Sequence, residues 1–373
     1  MGRTLAFVCT HCHTAYPPDT REWRCPCGGL FDFADRPPLD PAGIEAGRRG
    51  VWRYRALLPL DPAWEAVTLG EGDTPLLRVD WEGRSIYFKL ESLEPTGSFK
   101  DRGSAVLVTA LRGLGIRRVV EDSSGNAGAS LAAYTARAGI ACEICVPDTA
   151  AGPKLAQMAV YGAEVIQIKG KREYAALAAW AAAAHGAFYA SHVYNPFFLA
   201  GTETLAYELW EQLGRRAPAA LVLPVGNGTL FLGLYNGFCR LRQAGLIAHL
   251  PHLFAAQAAA CPPIYEAFCS GVETVRPVAP TPTLACGLAI GQPVRGGQVL
   301  KAVRATAGRV VSVTEEEIQQ THSRLARQGF HVEETSAVAV AALDQLQGEL
   351  ARFDPEPVVV PLTGHGLKTC RPE

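Results

Sequence analysis

No apolar run among these 373 residues approaches the roughly 20 needed to cross a bilayer. Charge of one sign is also lacking. The net charge is −1, so nothing draws the whole chain to nucleic acid or to an anionic membrane. Residues 1–8 contain neither a signal-peptide h-region nor a small-residue cleavage site, and no Ser or Thr stands at the myristoylation spacing from Gly2. The expectation is a cytoplasmic protein with no membrane and no nucleic-acid partner. No repeat is present, and the one biased stretch, the Ala-rich 175–184, is a good helix former and no more. A disulfide framework is missing too. Of the 11 cysteines, Cys142, Cys145, Cys239, Cys261, Cys269, Cys286 and Cys370 are scattered, mostly in apolar surroundings, and read as reduced, buried thiols.

What is there suits a globular protein. Hydrophobic residues make up 48% of the chain, enough for a substantial core, and the length allows two domains or one large one. Residues 1–35 form a small Cys-rich unit, and a proline-spaced arm runs from Arg36 to about Pro75. Beyond it, helix and strand signals alternate. From Ser98, Leu107, Ala110, Leu111 and Leu114 share one helical face, and Gly113 and Gly115 mark that helix's end. Further helices are expected at 126–137, 153–161, 171–185, 202–213, 229–244, 315–328 and 336–350. Strands are expected at 116–121, 140–146, 164–168, 187–191, 219–225 and 358–361. Residues 275–300, rich in Pro and Gly, read as irregular. The strands are short and apolar rather than alternating in polarity, as in parallel sheets covered on both faces.

Four segments carry chemistry. The first is Glu94-Pro95-Thr96-Gly97-Ser98-Phe99-Lys100-Asp101-Arg102-Gly103. An imine-forming lysine must be neutral at working pH, so burial or nearby charge has to depress its ammonium. A helix N-terminus beside Lys100 disfavours a second cation there. Once released, the same amine carries protons between carbons. A lone lysine in a first turn would read as a surface residue; this context reverses that reading. The second segment is Ser123-Ser124-Gly125-Asn126-Ala127-Gly128, between a strand and a helix at the carboxyl edge of an α/β sheet, where ligands bind. Its N–H groups and hydroxyls suit a substrate carboxylate, and Asn126 offers its amide to a ring oxygen. Alone, Ser-Gly-Asn is ordinary turn composition.

The third is Gly226-Asn227-Gly228-Thr229, after an apolar strand and opening a helix. Glycines let backbone approach a phosphate, and the helix dipole favours the anion. It matches neither the P-loop nor the Rossmann pattern, and alone it reads equally as a tight strand-to-helix turn. The fourth is Val358-Val359-Val360-Pro361-Leu362-Thr363-Gly364-His365-Gly366. Thr363, ending a buried strand, offers a hydroxyl to a pyridine nitrogen. A neutral partner leaves that nitrogen largely unprotonated and favours elimination and replacement over transamination. His365 also reads as a plain loop residue. Together, the four meet the needs of pyridoxal 5'-phosphate: an amine for the aldehyde, N–H groups for the phosphate and polar partners for the ring.

With these motifs, and with Trp52-Arg53-Tyr54-Arg55-Ala56-Leu57-Leu58-Pro59, Leu69-Gly70-Glu71-Gly72-Asp73-Thr74-Pro75-Leu76 and Pro153-Lys154-Leu155-Ala156-Gln157, the chain resembles the tryptophan-synthase-β (fold type II) class of pyridoxal phosphate enzymes. Within that class it looks most like the threonine synthase family and its paralogues, from about Val51 to Lys368. The resemblance implies an α/β fold of two open, twisted, mostly parallel sheets flanked by helices, with a small N-terminal Cys-rich ribbon. It implies a zinc-ribbon-like unit at 1–35, a large cofactor-binding domain of 36–95 with 205–373, a small mobile domain at 96–204, and a homodimer. Carried over by position, Lys100 resembles the Schiff-base lysine, Phe99 a ring-packing neighbour and Asn126 the partner of the ring oxygen. Gly226, Asn227, Gly228 and Thr229 resemble the phosphate loop, and Thr363 the pyridine-nitrogen partner. Thr96, Ser98, Ser123, Ser124 and Gly125 would face a small amino-acid substrate.

One stretch departs from the family. Where an Asn-Ser pair and an Arg help to hold a substrate phosphate, this chain has His192-Val193 and Phe198. Losing a bidentate phosphate donor is costly. Either Arg102, Lys154 or His192 compensates, or the substrate carries no phosphate and the chemistry is β-elimination or β-replacement. Cys9-x2-Cys12 with Cys25-x-Cys27 resembles the zinc-ribbon start of many paralogues, and four thiolates in two close pairs suit tetrahedral zinc. A metal-free ribbon, or a swap of one ligand for His11 or His13, is the alternative. Three functions follow: a lyase of threonine synthase type acting on O-phospho-L-homoserine; a dehydratase or replacement enzyme on a non-phosphorylated amino acid; or a cofactor-binding protein without catalysis.

Overall fold

The computed structural model describes residues 5–150, 152–170 and 172–369. Residues 1–4, Lys171 as a helix start, and Cys370 lie outside the described residues. The chain divides into two compact units: Met1–Gly72 with Lys100–Thr202 and Thr369–Glu373, and Asp73–Phe99 with Glu203–Lys368. No helix among the described residues is long and apolar enough to cross a membrane.

The first unit opens with a three-stranded antiparallel ribbon, β1 (Phe7–Cys9), β2 (Ala15–Tyr16) and β3 (Phe31–Phe33), in the order β2-β1-β3. Phe7 seats it, its ring 5.5 Å from that of Phe197, and Trp23 stacks on Trp180 at 4.9 Å. The unit's main sheet contains β6 (Arg118–Glu121), β7 (Ala141–Pro147), β8 (Glu164–Ile168) and β9 (Phe188–Tyr189). Its order is β8-β7-β6-β9, with every pair parallel. Its helices are α1 (Lys100–Gly113), α2 (Asn126–Ala138), α3 (Pro153–Val160) and α4 (Arg172–Ala184). Gly139 ends α2 in the left-handed conformation, φ 68°, that a C-terminal cap favours. Helix α5 (Pro196–Gln212) begins six residues before the expected position of 202. Phe197, Phe198, Leu199 and Ala200 are all buried, so no polar face marks its first turns.

The second unit holds six strands in the order β12-β11-β10-β13-β5-β4. Here β10 (Ala220–Pro224), β11 (His252–Ala258), β12 (Val310–Val313), β13 (Val358–Pro361) and β5 (Arg84–Lys89) run parallel, and β4 (Leu76–Trp81) pairs antiparallel with β5. Glu82 and Gly83, both with positive φ, make the two-residue β4–β5 turn. Helix α6 (Thr229–Gln243) follows β10, and α9 (Glu315–Arg327) follows β12 through a capping box between Thr314 and Glu317. Helices α7 (Pro263–Cys269) and α8 (Gly296–Ala305) fall where no helix was expected, whereas α10 (Glu334–Gln345) lies within two residues of its expected start. α10 is buried from Ser336 to Leu343. The two open, mostly parallel sheets with flanking helices are the fold type II architecture, preceded by a Cys-rich ribbon.

Among the described residues the scattered cysteines are free thiols, but only some are buried as expected. Cys142, Cys145 and Cys261 are inside and Cys239 is half-buried, whereas Cys269 and Cys286 are exposed, each in or beside a short helical turn at the surface.

Candidate active site

In the first unit, Lys100 is the opening residue of α1. The next residue fixes that helix start: Asp101 Oδ1 accepts a hydrogen bond from Ser130 Oγ at 2.6 Å, and Ser130 meets Ser104 Oγ at 2.8 Å, tying α1 to α2. Lys100 is half-buried. Desolvation pulls its ammonium from 10.5 down to about 8, the charge of Glu121 opposing the fall and that of Arg172 adding to it. Compared with an exposed lysine, a roughly 300-fold larger share is free amine at neutral pH. Its Nζ stands 5.6 Å from the centroid of the Phe198 ring.

The same ring meets His192, centroid to centroid, at 5.7 Å. His192 in turn pairs with Glu121, the last residue of β6: Oε1 accepts from His192 Nδ1 at 2.6 Å and from the His192 backbone N–H at 3.2 Å. Burial pushes the Glu121 carboxyl up to about 7, against the pull of the His192 N–H and of Lys100 and Arg172. Burial likewise holds the His192 imidazole well below its usual value. The ring is therefore neutral and keeps its one proton on Nδ1, facing the carboxylate.

The other sequence-derived residues of this unit fall in three places. Ser123, Ser124, Gly125 and Asn126 form the entry to α2, with the Gly125 N–H donating to Ser123 Oγ at 3.4 Å. A Cβ on Gly128 would lie 2.1 Å from the Ser123 carbonyl oxygen, so this turn folds tightly only with glycine. Arg102 is wholly buried, and its carbonyl packs against Gly201. Lys154 is half-buried in the first turn of α3.

In the second unit the first and fourth motifs join. Phe99 N–H donates to the Thr363 carbonyl at 3.1 Å, His365 N–H to Gly97 at 2.9 Å, and the Lys368 amine to the Thr96 carbonyl at 2.5 Å. Ser98 bridges to Gly364, and its hydroxyl is fully buried without a hydrogen-bond partner among the described residues. Gly97 has φ 81° and closes a turn onto Glu94, so the chain needs glycine there. Thr363 is clamped by Ser336, whose Oγ accepts from the Thr363 N–H at 2.9 Å and lies 3.2 Å from its hydroxyl.

The loop Gly226–Thr229 leaves the all-buried β10 and opens α6, with Gly228 at φ 87°. A Cβ on Gly226 would come within 2.9 Å of the Gly287 carbonyl, and one on Gly287 within 2.9 Å of the Thr335 hydroxyl, next to Ser336. Backbone N–H groups at a helix start, in a cradle that side chains would fill, suit a phosphate. The amine of depressed basicity in the first unit and the buried hydroxyl held at a strand end in the second are each of a kind that pyridoxal phosphate requires.

The sequence motifs did not point to Glu121 or Ser336. Glu121 carries no motif, and its partner lies 71 residues away. Ser336 was legible only as part of Glu333-Glu334-Thr335-Ser336-Ala337, a stretch that resembles the family.

In the ribbon, the Sγ atoms of Cys9, Cys12, Cys25 and Cys27 all lie within 4.8 Å of one another. The pairs Cys9–Cys27 and Cys12–Cys25 stand at 3.5 and 3.4 Å. A tetrahedron of sulfurs about 2.3 Å from a zinc ion has edges of about 3.8 Å, so the set needs little adjustment. The N–H groups of His11 and Cys12 point at Cys9 Sγ, as they do around thiolates.

Comparison with known proteins adds lineage to this geometry. Residues 67–364 match a family model described as pyridoxal-phosphate dependent enzyme. The threonine synthase of Methanocaldococcus jannaschii is 37% identical over 372 residues, which cover 96% of this chain and 92% of that protein. Among solved structures, serine racemase from Dictyostelium discoideum superposes with a TM-score of 0.64 at 27% identity, covering 78% of this chain and 92% of that one. The processed form of threonine deaminase isoform 2 from Solanum lycopersicum gives 0.70 over 90% and 93% of the two chains, and at 19% identity shares the fold alone.

Proposed function

The chain belongs to the pyridoxal-phosphate dependent enzymes and, within them, to the threonine synthase family, and from that premise we propose that this lyase converts O-phospho-L-homoserine and water to L-threonine and phosphate. Bound pyridoxal phosphate supplies an aldehyde for the substrate amine and an electron sink for charge developing at Cα. Every other task falls to the chain. Lys100 Nζ, once the substrate amine has displaced it, takes the proton from substrate Cα and redistributes protons so that phosphate leaves Cγ and water adds at Cβ. N–H groups around Gly226, Asn227, Gly228 and Thr229 hold the cofactor phosphate, and Phe99 packs on its ring. The Thr363 hydroxyl, held by Ser336, meets the ring nitrogen as a neutral partner, and Asn126 meets the ring oxygen. Ser123, Ser124 and Gly125, at the start of α2, hold the substrate carboxylate, with Thr96 and Ser98 as its other polar neighbours. Cys9, Cys12, Cys25 and Cys27 hold a structural zinc ion.

The observation that carries this reading is Lys100, an amine at the head of a helix whose basicity burial has lowered to about 8. The test is a coupled assay for phosphate and threonine released from O-phospho-L-homoserine. Turnover with both products in equal amounts is expected; no turnover by cofactor-loaded protein rejects the substrate.

A second reading rests on Phe198, an apolar ring only 1% exposed that faces Lys100 where the family resemblance calls for a cation. It makes the substrate a non-phosphorylated amino acid, by dehydration or β-replacement. Release of a 2-oxo acid from L-serine or L-threonine, with O-phospho-L-homoserine inert, would select it.

A further inference from the structure

We propose that Glu121, oriented by His192, is the positioning residue for Lys100: its carboxylate holds the lysine ammonium whenever that amine is protonated, and so governs how readily the amine exchanges with a carbonyl. The proposal rests on Lys100 being the amine that takes the aldehyde.

Glu121 closes β6 and is 1% exposed. Its two oxygens are not alike. Oε1 is doubly satisfied, by the ring and the backbone of His192, while Oε2 is buried with no hydrogen-bond partner among the described residues. A buried carboxylate with a bare oxygen is costly unless a cation balances it. Two cations act on it, Lys100 and Arg172. Arg172 is exposed at the start of α4 and shares its charge with solvent. Lys100 shares the Phe198 ring with His192, so the lysine, the ring, the imidazole and the carboxylate form one packed group.

The other titratable neighbours do not compete for the lysine. Asp122 accepts the Tyr189 hydroxyl at 2.6 Å. Burial pushes the Cys142 thiol, on β7, up to about 12, so it stays protonated. Glu143, also on β7, is paired with Arg118. His192 donates to Oε1, which leaves Oε2 as the oxygen without a hydrogen-bond partner among the described residues. The proton accounting closes without any added reagent. Lys100 leaves its carbonyl partner as a neutral amine, becomes an ammonium by taking a proton from carbon, and rests on Glu121 until that proton is delivered.

The test follows the rate at which pyridoxal 5'-phosphate, added to cofactor-stripped full-length chain, attaches to Lys100 at pH 5.5–9.5. Borohydride fixation and peptide mapping locate the attachment. In the wild type the rate should climb until the amine is free, near pH 8. In Glu121→Gln the ammonium loses its counter-charge, and the profile should move down by about one to three pH units, giving a roughly five- to tenfold faster attachment at pH 7. In His192→Phe the carboxylate loses its ring donor, and a smaller shift in the same direction is expected. That variant carries the test if Glu121→Gln does not fold. Profiles that superpose on the wild type, with the tag still on Lys100, would overturn the role of Glu121 and leave the lysine's role standing. A tag mapped elsewhere in the wild type would overturn both.

Discussion

Lys100 is held where its charged form is least welcome, and the cost is measurable without any assay of catalysis. A lysine whose ammonium falls from 10.5 to about 8 on folding adds stability only above 10.5, and that stability is lost as the pH drops through 8. Lys100→Met keeps the aliphatic stem and removes the charge. Free of cofactor, this variant should therefore be more stable than the wild type at pH 7, by about 3 kcal/mol, with the gain fading between about pH 8 and 10.5. Urea midpoints at pH 7 and pH 10 check this, and equal gains at both would contradict it. The same variant should lose all covalently attached cofactor and about 10³-fold or more in kcat. Lys100, Asn126, Gly226, Gly228 and Thr363 stand out in the sequence because each sits in a short local pattern with a chemical reason. Glu121 was not, since a carboxylate at a strand end has no local signature and acquires one only through a partner on another strand's flank.

At the scale of elements, the strands that could be read were runs of branched residues, such as β10 and β13, buried on both faces. β11, with three alanines and a glutamine in seven residues, gives no such signal. Its buried Gln257 is satisfied by tertiary contacts with Val225, Ile264 and Tyr265. The β4–β5 hairpin hides behind a Glu-Gly turn in place of the usual Asn-Gly. α8 begins with two glycines in a stretch that looks irregular. The packing of α1 on the start of α5 was also invisible, because it depends on two glycines with little space. A Cβ on Gly103 would meet the Phe198 ring at 2.5 Å, and one on Gly201 would meet the Arg102 carbonyl oxygen at 2.1 Å. A ring can turn and a backbone cannot, so Gly201→Ala should cost about 3 kcal/mol and Gly103→Ala about 1–2 kcal/mol in chemical denaturation. Thr314→Ala, which removes the capping box of α9, should cost about 1 kcal/mol.

For the molecule as a whole, the ribbon offers the plainest measurement. Four cysteine sulfurs in one small cluster should carry about one zinc ion per chain, read by elemental analysis, and Cys12→Ser should lower that content sharply. Chelation should reduce the melting temperature by about 5 °C or more, while a metal content near zero would mark the ribbon as self-supporting. A different consequence comes from the parallel pairing of β5 with β13, in which Tyr87 faces Val359. The two strands are separated by about 270 residues. A ribosome adding roughly 5–20 residues per second delivers the later strand on the order of ten seconds to a minute after the earlier one. For that interval the nascent hairpin presents an open edge with nothing to dock on it, and the sheet's interior closes only once β13 has emerged.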